Sequence, residues 1–160
     1  MSNVYHVTYV KHLASIAQKG LTPRSSANFS GYAAHSRGKV FLCEKNGVNF
    51  WMSRLWDQAE SNSDDPIEDG LLPVVVKVTV LPQSTLEDDL LGSKDSAHKA
   101  YFVEEDVPAA GLQVWTGDRW DRISSQAAKT IVSQARERTE YLEEDGETYY
   151  YYDPDTFYPF

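Results

Sequence analysis

Two polar side chains stand two positions apart in an otherwise apolar and aromatic segment near the N-terminus. The segment covers residues 4–10, VYHVTYV, and its Val, Tyr and Thr content predicts a β-strand. Because side chains alternate between the two faces of a strand, His6 and Thr8 share one face. An imidazole and a hydroxyl on one face predict a ligand-binding strand. The alternative interpretation of His6 is a half-buried structural histidine that is bonded to a neighbour.

Two glutamates and two arginines are further candidates for chemistry. Glu104 and Glu105 end a predicted strand and can project into a cleft, although plain surface positions are the alternative, because Glu is mostly exposed. Arg24 and Arg37 flank a long polar loop that leads to Lys39. In an acidic chain, these cations predict a local pocket for a phosphate-bearing ligand, with ordinary surface cations as the alternative.

Several familiar chemistries lack a motif in this chain. The four histidines do not fall at a zinc-binding spacing, so no metal site is expected. Cys43, the single cysteine, lies in no nucleophile motif, and we interpret it as a small buried residue of a strand. No glycine-rich phosphate loop is present, and no second His-x-Thr or His-x-Ser completes a two-histidine phosphoesterase pair.

The bulk composition predicts one acidic globular domain. The chain has 160 residues, of which 41% are hydrophobic and 12% aromatic, and its formal net charge is −9. This charge argues against general binding to the nucleic-acid backbone, which needs a basic face. A single cysteine allows no internal disulfide and favours a cytoplasmic location. We expect no signal peptide and no membrane contact, because no apolar run is long enough to span a bilayer.

The hydrophobic patterns predict an α+β domain over residues 1–142 and an acidic, Tyr-rich tail over residues 143–160. Helices are predicted at residues 11–19, with Gly20 as the C-terminal cap, at 47–60, and from Ser124 or Ser125 to about Leu142. Strands are predicted at 4–10, 39–44, 73–81 and 100–105, followed by a hairpin that turns at Gly117 and Asp118. The tail is expected to pack as an edge strand or to dock a partner.

Three blocks together resemble the ADP-ribosyltransferase superfamily, which includes poly(ADP-ribose) polymerases, RNA 2′-phosphotransferases and DNA-modifying toxins. The first block, VYHVTYVKHLASIAQKGLTP, looks like the opening strand with His-x-Thr, a short helix, Gly-Leu and a proline. The second, SRGKVFLCE, is similar to the strand that follows a glycine. The third joins PVVVKVTV to AYFVEEDVPAAGLQVW and looks like the closing strands. The resemblance covers roughly residues 4–115.

This resemblance implies a split mixed β-sheet that grips NAD in a cleft. In the family, a histidine that matches His6 bonds the ribose on the nicotinamide side, and the backbone at the Val7 position holds the nicotinamide amide. Thr8 matches the family's Thr or Ser, and Phe41 takes the place of the aromatic residue that stacks on nicotinamide.

The remaining family features concern the catalytic acid and the phosphates. The family's glutamate falls at residues 99–101, KAY, which contain no carboxylate, so Glu104 and Glu105 are the substitutes expected from the sequence. Arg24 and Arg37 keep open a role in orienting phosphate. The implied function is NAD-dependent ADP-ribosyl transfer to a macromolecule. The alternative is a degenerate member that binds or inhibits a partner through its acidic surface without turnover.

Overall fold

A computed structural model describes residues 3–23, 40–79, 87–88, 100–154 and 157–158. Its strands are β1 (Val4–Tyr9), β2 (Val40–Cys43), β3 (Pro73–Val78), β4 (Glu87–Asp88), β5 (Ala100–Val103), β6 (Leu112–Trp115), β7 (Trp120–Arg122), β8 (Glu140–Glu144) and β9 (Glu147–Tyr151). Its helices are α1 (Leu13–Lys19), α2 (Val48–Asn62) and α3 (Ser125–Glu137). The chain is therefore an α+β domain, as the sequence predicts, and none of the described helices is long and apolar enough to span a membrane.

Seven of the strands form one sheet in the order β4-β5-β2-β1-β3-β6-β7. Every pairing recorded for the described residues is antiparallel, so the mixed sheet expected from the resemblance is wrong in this respect. Strands β2 and β3 do run in the same direction, but the chain crosses over β1 between them, so each of them pairs with β1 and not with the other. The predicted hairpin is confirmed, because β6 and β7 pair across the turn at Gly117 and Asp118.

The two faces of the sheet bury different clusters of apolar residues. The larger cluster contains Val4 of β1, Val76 of β3, Leu13 of α1 and Ile131 of α3. The smaller cluster joins Tyr5, Cys43 and Val75 to Val48 and Met52 of α2. Strands β1, β2 and β3 therefore alternate between the two clusters, and the face of any β1 residue follows from its neighbours.

The end of α1 is fixed by a glycine that no other residue can replace without strain. Gly20 has φ of 73° and ψ of −163°, a region that only glycine adopts readily, and its N–H donates to the Ile16 carbonyl at 2.8 Å. A Cβ on Gly20 would lie 2.1 Å from the carbonyl oxygen of Val107. The predicted glycine cap is therefore confirmed, and it brings Leu21 into a β-bridge with Val107.

The C-terminal segment differs from the sequence expectation. Ser124 caps the start of helix α3, as predicted, because its side chain accepts from the Ala127 N–H at 3.0 Å. The helix ends at Glu137 and not near Leu142. The residues that follow form a separate hairpin of β8 and β9, so the predicted boundary after Leu142 falls inside β8. After this hairpin, the chain returns to the core, where Tyr152 and Phe157 are buried.

Candidate functional site

The sheet parts between β1 and β2. Strand β1 pairs with β3 along its whole length, from Val4 opposite Val78 to Tyr9 opposite Pro73. Toward β2, the only pair recorded among the described residues is Tyr5 opposite Cys43. Continuing that register would place Val7 opposite Phe41, but no such pair is formed. The two strands therefore diverge beyond Tyr5, and we call the space between them the β1–β2 gap.

The phase of the hydrogen bonding shows which backbone groups face this gap. The N–H of Val10, which continues the β1–β3 register, donates to the Leu72 carbonyl at 2.8 Å. Hydrogen-bonded and non-bonded pairs alternate along an antiparallel ladder, so His6 and Thr8 bond to β3 in the same way. Tyr5, Val7 and Tyr9 then turn their backbone groups toward β2.

A bond on the other side of β3 supports this assignment independently. The N–H of Thr79 donates to the Gly111 carbonyl at 2.7 Å, in register with the β3–β6 ladder. The odd-numbered residues of β3 therefore bond to β6, and Val74 and Val76 are left to bond to β1. The N–H and C=O of Val7 consequently point into the β1–β2 gap. A donor and an acceptor side by side on a strand edge can pair with another strand or with a carboxamide.

The imidazole of His6 bridges the gap. Its Nδ1 lies 2.7 Å from the carbonyl oxygen of Phe41 on β2. Because a carbonyl oxygen only accepts, Nδ1 carries the proton of this bond, and in the neutral ring Nε2 is then the acceptor. The contact replaces a missing ladder bond and fixes the orientation of the ring. The bond to Phe41 therefore fixes both the orientation of the His6 ring and the nitrogen that carries its proton.

The predicted site residues divide between the two faces of the sheet. Thr8 is buried on the face of His6, opposite Val74, which belongs to the larger cluster. Phe41 lies on the other face, since Val40 and Leu42 on either side of it pack into the larger cluster. Its ring contacts that of Phe102, with centroids 6.4 Å apart. The structure therefore brings His6 to the backbone of Phe41 and not to its ring.

The two predicted glutamates lie away from His6. Both are exposed and follow the last residue of β5. Tyr101 is opposite Leu42, at the level of His6, so Glu104 is three residues further along and two strands away. With ordinary strand dimensions, the two Cα atoms are roughly 14 Å apart. The predicted phosphate-binding residues, Arg24 and Arg37, lie outside the described residues.

A closer carboxylate, Glu44, was missed at the level of sequence. Glu44 directly follows β2 and lies two residues after Leu42, so its side chain is on the same face of the sheet as His6. Its carboxylate accepts a hydrogen bond from the Tyr101 hydroxyl at 2.5 Å. By the register, its Cα is about 8 Å from that of His6. Glu44 and Tyr101 are 57 positions apart in the sequence, so only the pairing of β2 with β5 reveals their contact.

The cysteine beside the gap is not a nucleophile. Cys43 is buried in the smaller cluster, and burial, with a smaller effect of the Glu44 charge, raises the pKa of its thiol to about 12. A thiol with this pKa is almost entirely protonated at neutral pH, and the thiolate is the reactive form. The interpretation of Cys43 as a small buried strand residue is therefore confirmed.

A cavity lies at the paired end of β1 and β2, away from the predicted site. It has a volume of about 580 Å³, and its walls combine three amides, two phenols and two charged side chains: Asn3, Tyr5, Glu44, Lys45, Asn46, Asn49 and Tyr158. Of these residues, Glu44 alone belongs to the surroundings of His6 described above. The described residues contain no cluster of side chains that could hold a metal ion.

Comparison of the chain with known protein families, with curated proteins and with solved structures finds no match. The functional inference below therefore depends on the residues and geometry of the β1–β2 gap.

Proposed function

We propose that the β1–β2 gap binds NAD and that the protein transfers ADP-ribose from it to a macromolecular acceptor. One observation carries this proposal: the N–H and C=O of Val7 point into a gap that His6 bridges. A carboxamide offers one acceptor and one donor, and it can therefore pair with Val7 as a neighbouring strand would. NAD carries such a group on its nicotinamide ring, and the nitrogen of this ring forms the bond to ribose that ADP-ribosyl transfer breaks.

The side chains on the His6 face would hold the sugar next to the nicotinamide. In the neutral ring, His6 accepts at Nε2, because Nδ1 is committed to the Phe41 carbonyl. An acceptor in a fixed orientation suits a ribose hydroxyl. Thr8, which is buried two positions along the same face, would support the site from within the core. Phe41 would contribute its backbone to this site, in place of the ring stacking that the resemblance implies.

In this proposal, Glu44 is the catalytic carboxylate, a role that the sequence predicted for Glu104 and Glu105. Glu44 lies on the face of His6, and its bond to the Tyr101 hydroxyl fixes its position. A carboxylate held near a sugar can stabilise positive charge that develops when the bond to nicotinamide breaks. The exposed Glu104 and Glu105 are too distant for this role while NAD is held at His6.

Calorimetry with NAD and mass spectrometry for released nicotinamide test the proposal. We expect saturable binding and nicotinamide release by the unchanged protein. His6→Ala should weaken binding, because it removes both the bridge to Phe41 and the acceptor. Glu44→Gln should lower the rate of release, and Glu104→Gln with Glu105→Gln is the matched control with normal release. An absence of binding at millimolar NAD refutes the proposal.

A second function, binding without turnover, is favoured by two observations. No carboxylate stands at residues 99–101, where the resembled family has one, and the net charge of −9 suits association with a basic partner. In that case, NAD or a related nucleotide binds in the gap, but no nicotinamide is released. Glu44→Gln then leaves every measured property unchanged except stability, whereas in the transferase it lowers the rate.

A further inference from the structure

The hairpin of β8 and β9, residues 140–151, stands apart from the main sheet. It forms a sheet of its own, with Glu140 opposite Tyr151 and Glu144 opposite Glu147. Asp145 and Gly146 connect the strands with φ of 54° and 78°, the two positive values of a type I′ turn. Every side chain described in this hairpin is exposed. We call it the acidic hairpin.

Both ends of the acidic hairpin are anchored in the core. Before it, Thr139 is buried, and its hydroxyl donates to the Ala135 carbonyl of α3 at 2.8 Å. After it, Tyr152 is buried, and its ring lies 5.0 Å from that of Trp56 on α2. An isolated two-stranded hairpin is only marginally stable in water. Anchoring at both ends holds this one in a defined position, which lowers the entropy cost of binding.

The exposed large hydrophobic side chains of the described residues all lie in this hairpin. They are Tyr141, Leu142, Tyr149 and Tyr151, which are 54%, 61%, 51% and 60% exposed. Leu142 and Tyr149 are directly opposite each other and form the centre of one face. Single exposed apolar residues are ordinary, but a cluster of them marks an interaction surface. Tyrosine is also among the residues that contribute most at protein interfaces.

The charge of the hairpin specifies the partner. Residues 140–151 contain Glu140, Glu143, Glu144, Asp145 and Glu147 but no Lys or Arg. Glu144 and Glu147 face each other directly across the strands, and like charges in that position destabilise a hairpin. A cationic partner relieves this repulsion, whereas a nucleic acid or a second copy of the hairpin increases it.

We propose that the acidic hairpin docks on a basic protein surface in which cationic and apolar side chains are interleaved. The Leu142–Tyr149 pair forms the apolar centre of the interface, and Glu140, Glu144 and Glu147 on the same face form its charged rim. This inference is independent of the proposed NAD site, because it depends on no residue of the β1–β2 gap.

Two short, capped peptides of equal charge test the proposal by calorimetry with the whole protein. One alternates Lys with Val, and the other alternates Lys with Ser. We expect the Lys-Val peptide to bind several-fold more tightly, since only it can cover the apolar pair. Leu142→Ser should abolish this preference. Glu144→Gln with Glu147→Gln should weaken binding of both peptides roughly tenfold at low salt, because both carboxylates lie on the face of Leu142.

A control variant separates the hairpin from the general negative charge. Asp57→Asn with Asp64→Asn removes two exposed carboxylates elsewhere and should leave binding within about twofold of normal. Circular dichroism checks that each variant is folded. The proposal is overturned if the two peptides bind equally, if the control and hairpin variants lose equal affinity, or if neither peptide binds. A dimer in light scattering that Leu142→Ser dissociates also overturns it, because a second copy then occupies the surface.

Discussion

Replacing Val7 by proline tests the assignment of the β1 backbone to the gap. Proline has no N–H, so Val7→Pro removes a donor that points toward β2 and is not used by β3. Thr8→Pro is the matched control, because the N–H of Thr8 bonds to Val74. This second change removes a ladder bond and leaves a buried carbonyl without its donor.

The structure sets the expected difference in stability. For Thr8→Pro, the lost hydrogen bond costs about 1 kcal/mol, and the buried Val74 carbonyl that is left without a donor costs about 1–3 kcal/mol more. For Val7→Pro, we expect about 1 kcal/mol, from the restricted φ and the altered side chain. Thr8→Pro should therefore lower the free energy of unfolding by about 2 kcal/mol more than Val7→Pro does.

Urea unfolding of both variants measures this difference, and an NAD titration of the folded Val7→Pro protein follows. We expect the titration to show roughly tenfold weaker binding, the loss of one hydrogen bond to the ligand. If the two variants are equally destabilised, the N–H of Val7 is bonded within the protein, and the assignment of its backbone to the gap is wrong.

Two further predictions concern the stability of the fold. Gly20→Ala should lower the free energy of unfolding by about 3 kcal/mol or more, because φ of 73° is strained for alanine and the new Cβ would lie 2.1 Å from the Val107 carbonyl oxygen. Thermal unfolding measures this loss. A loss below about 1 kcal/mol, the cost of an exposed helix substitution, contradicts the prediction. Burial raises the pKa of the Cys43 thiol from 9.0 to about 12, so between these pH values only the unfolded chain loses the proton. The free energy of unfolding should therefore fall between about pH 9 and pH 12, by up to roughly 1.4 kcal/mol per pH unit. Cys43→Ala should reduce this slope in urea titrations below pH 10, and an unchanged slope would assign the alkaline loss to other groups.

Local features of the fold could be predicted from the sequence. The alternation of VYHVTYV placed His6 and Thr8 on one face, and the glycine after the short helix predicted its cap. Both depend on residues only a few positions apart. The antiparallel β6–β7 hairpin was equally local, since its turn residues lie between two short apolar runs.

The features that define the site are not local. Whether Val7 faces β2 or β3 depends on which strand lies on each side of β1, and the sequence of β1 does not contain this information. The bond from Tyr101 to Glu44 needs the β2–β5 register in the same way. From the resemblance, the Phe41 ring was expected to stack on nicotinamide, but it lies on the face opposite His6.

The hairpin of β8 and β9 could have been found. Asp145-Gly146 is the strongest short signal for a hairpin turn, and residues with a high preference for strands, Tyr141 and the Tyr-rich run, flank it. The sequence pattern instead predicted that the last helix extends to about Leu142 and that the acidic residues after it belong to a tail. Their exposure on both faces of the hairpin explains the misleading pattern, because no buried face imposes an alternation of apolar and polar residues.

The backbone amide resonance of Val7 during an NAD titration tests the central claim most directly. With uniformly nitrogen-labelled protein, we predict a saturable shift of the Val7 resonance, with smaller shifts at His6 and Thr8 and none in the acidic hairpin. Nicotinamide alone should shift the Val7 resonance in the same direction, because the carboxamide is the group that this backbone recognises. An unchanged Val7 resonance at millimolar NAD, or shifts confined to the cavity around Asn46 and Asn49, would contradict the account.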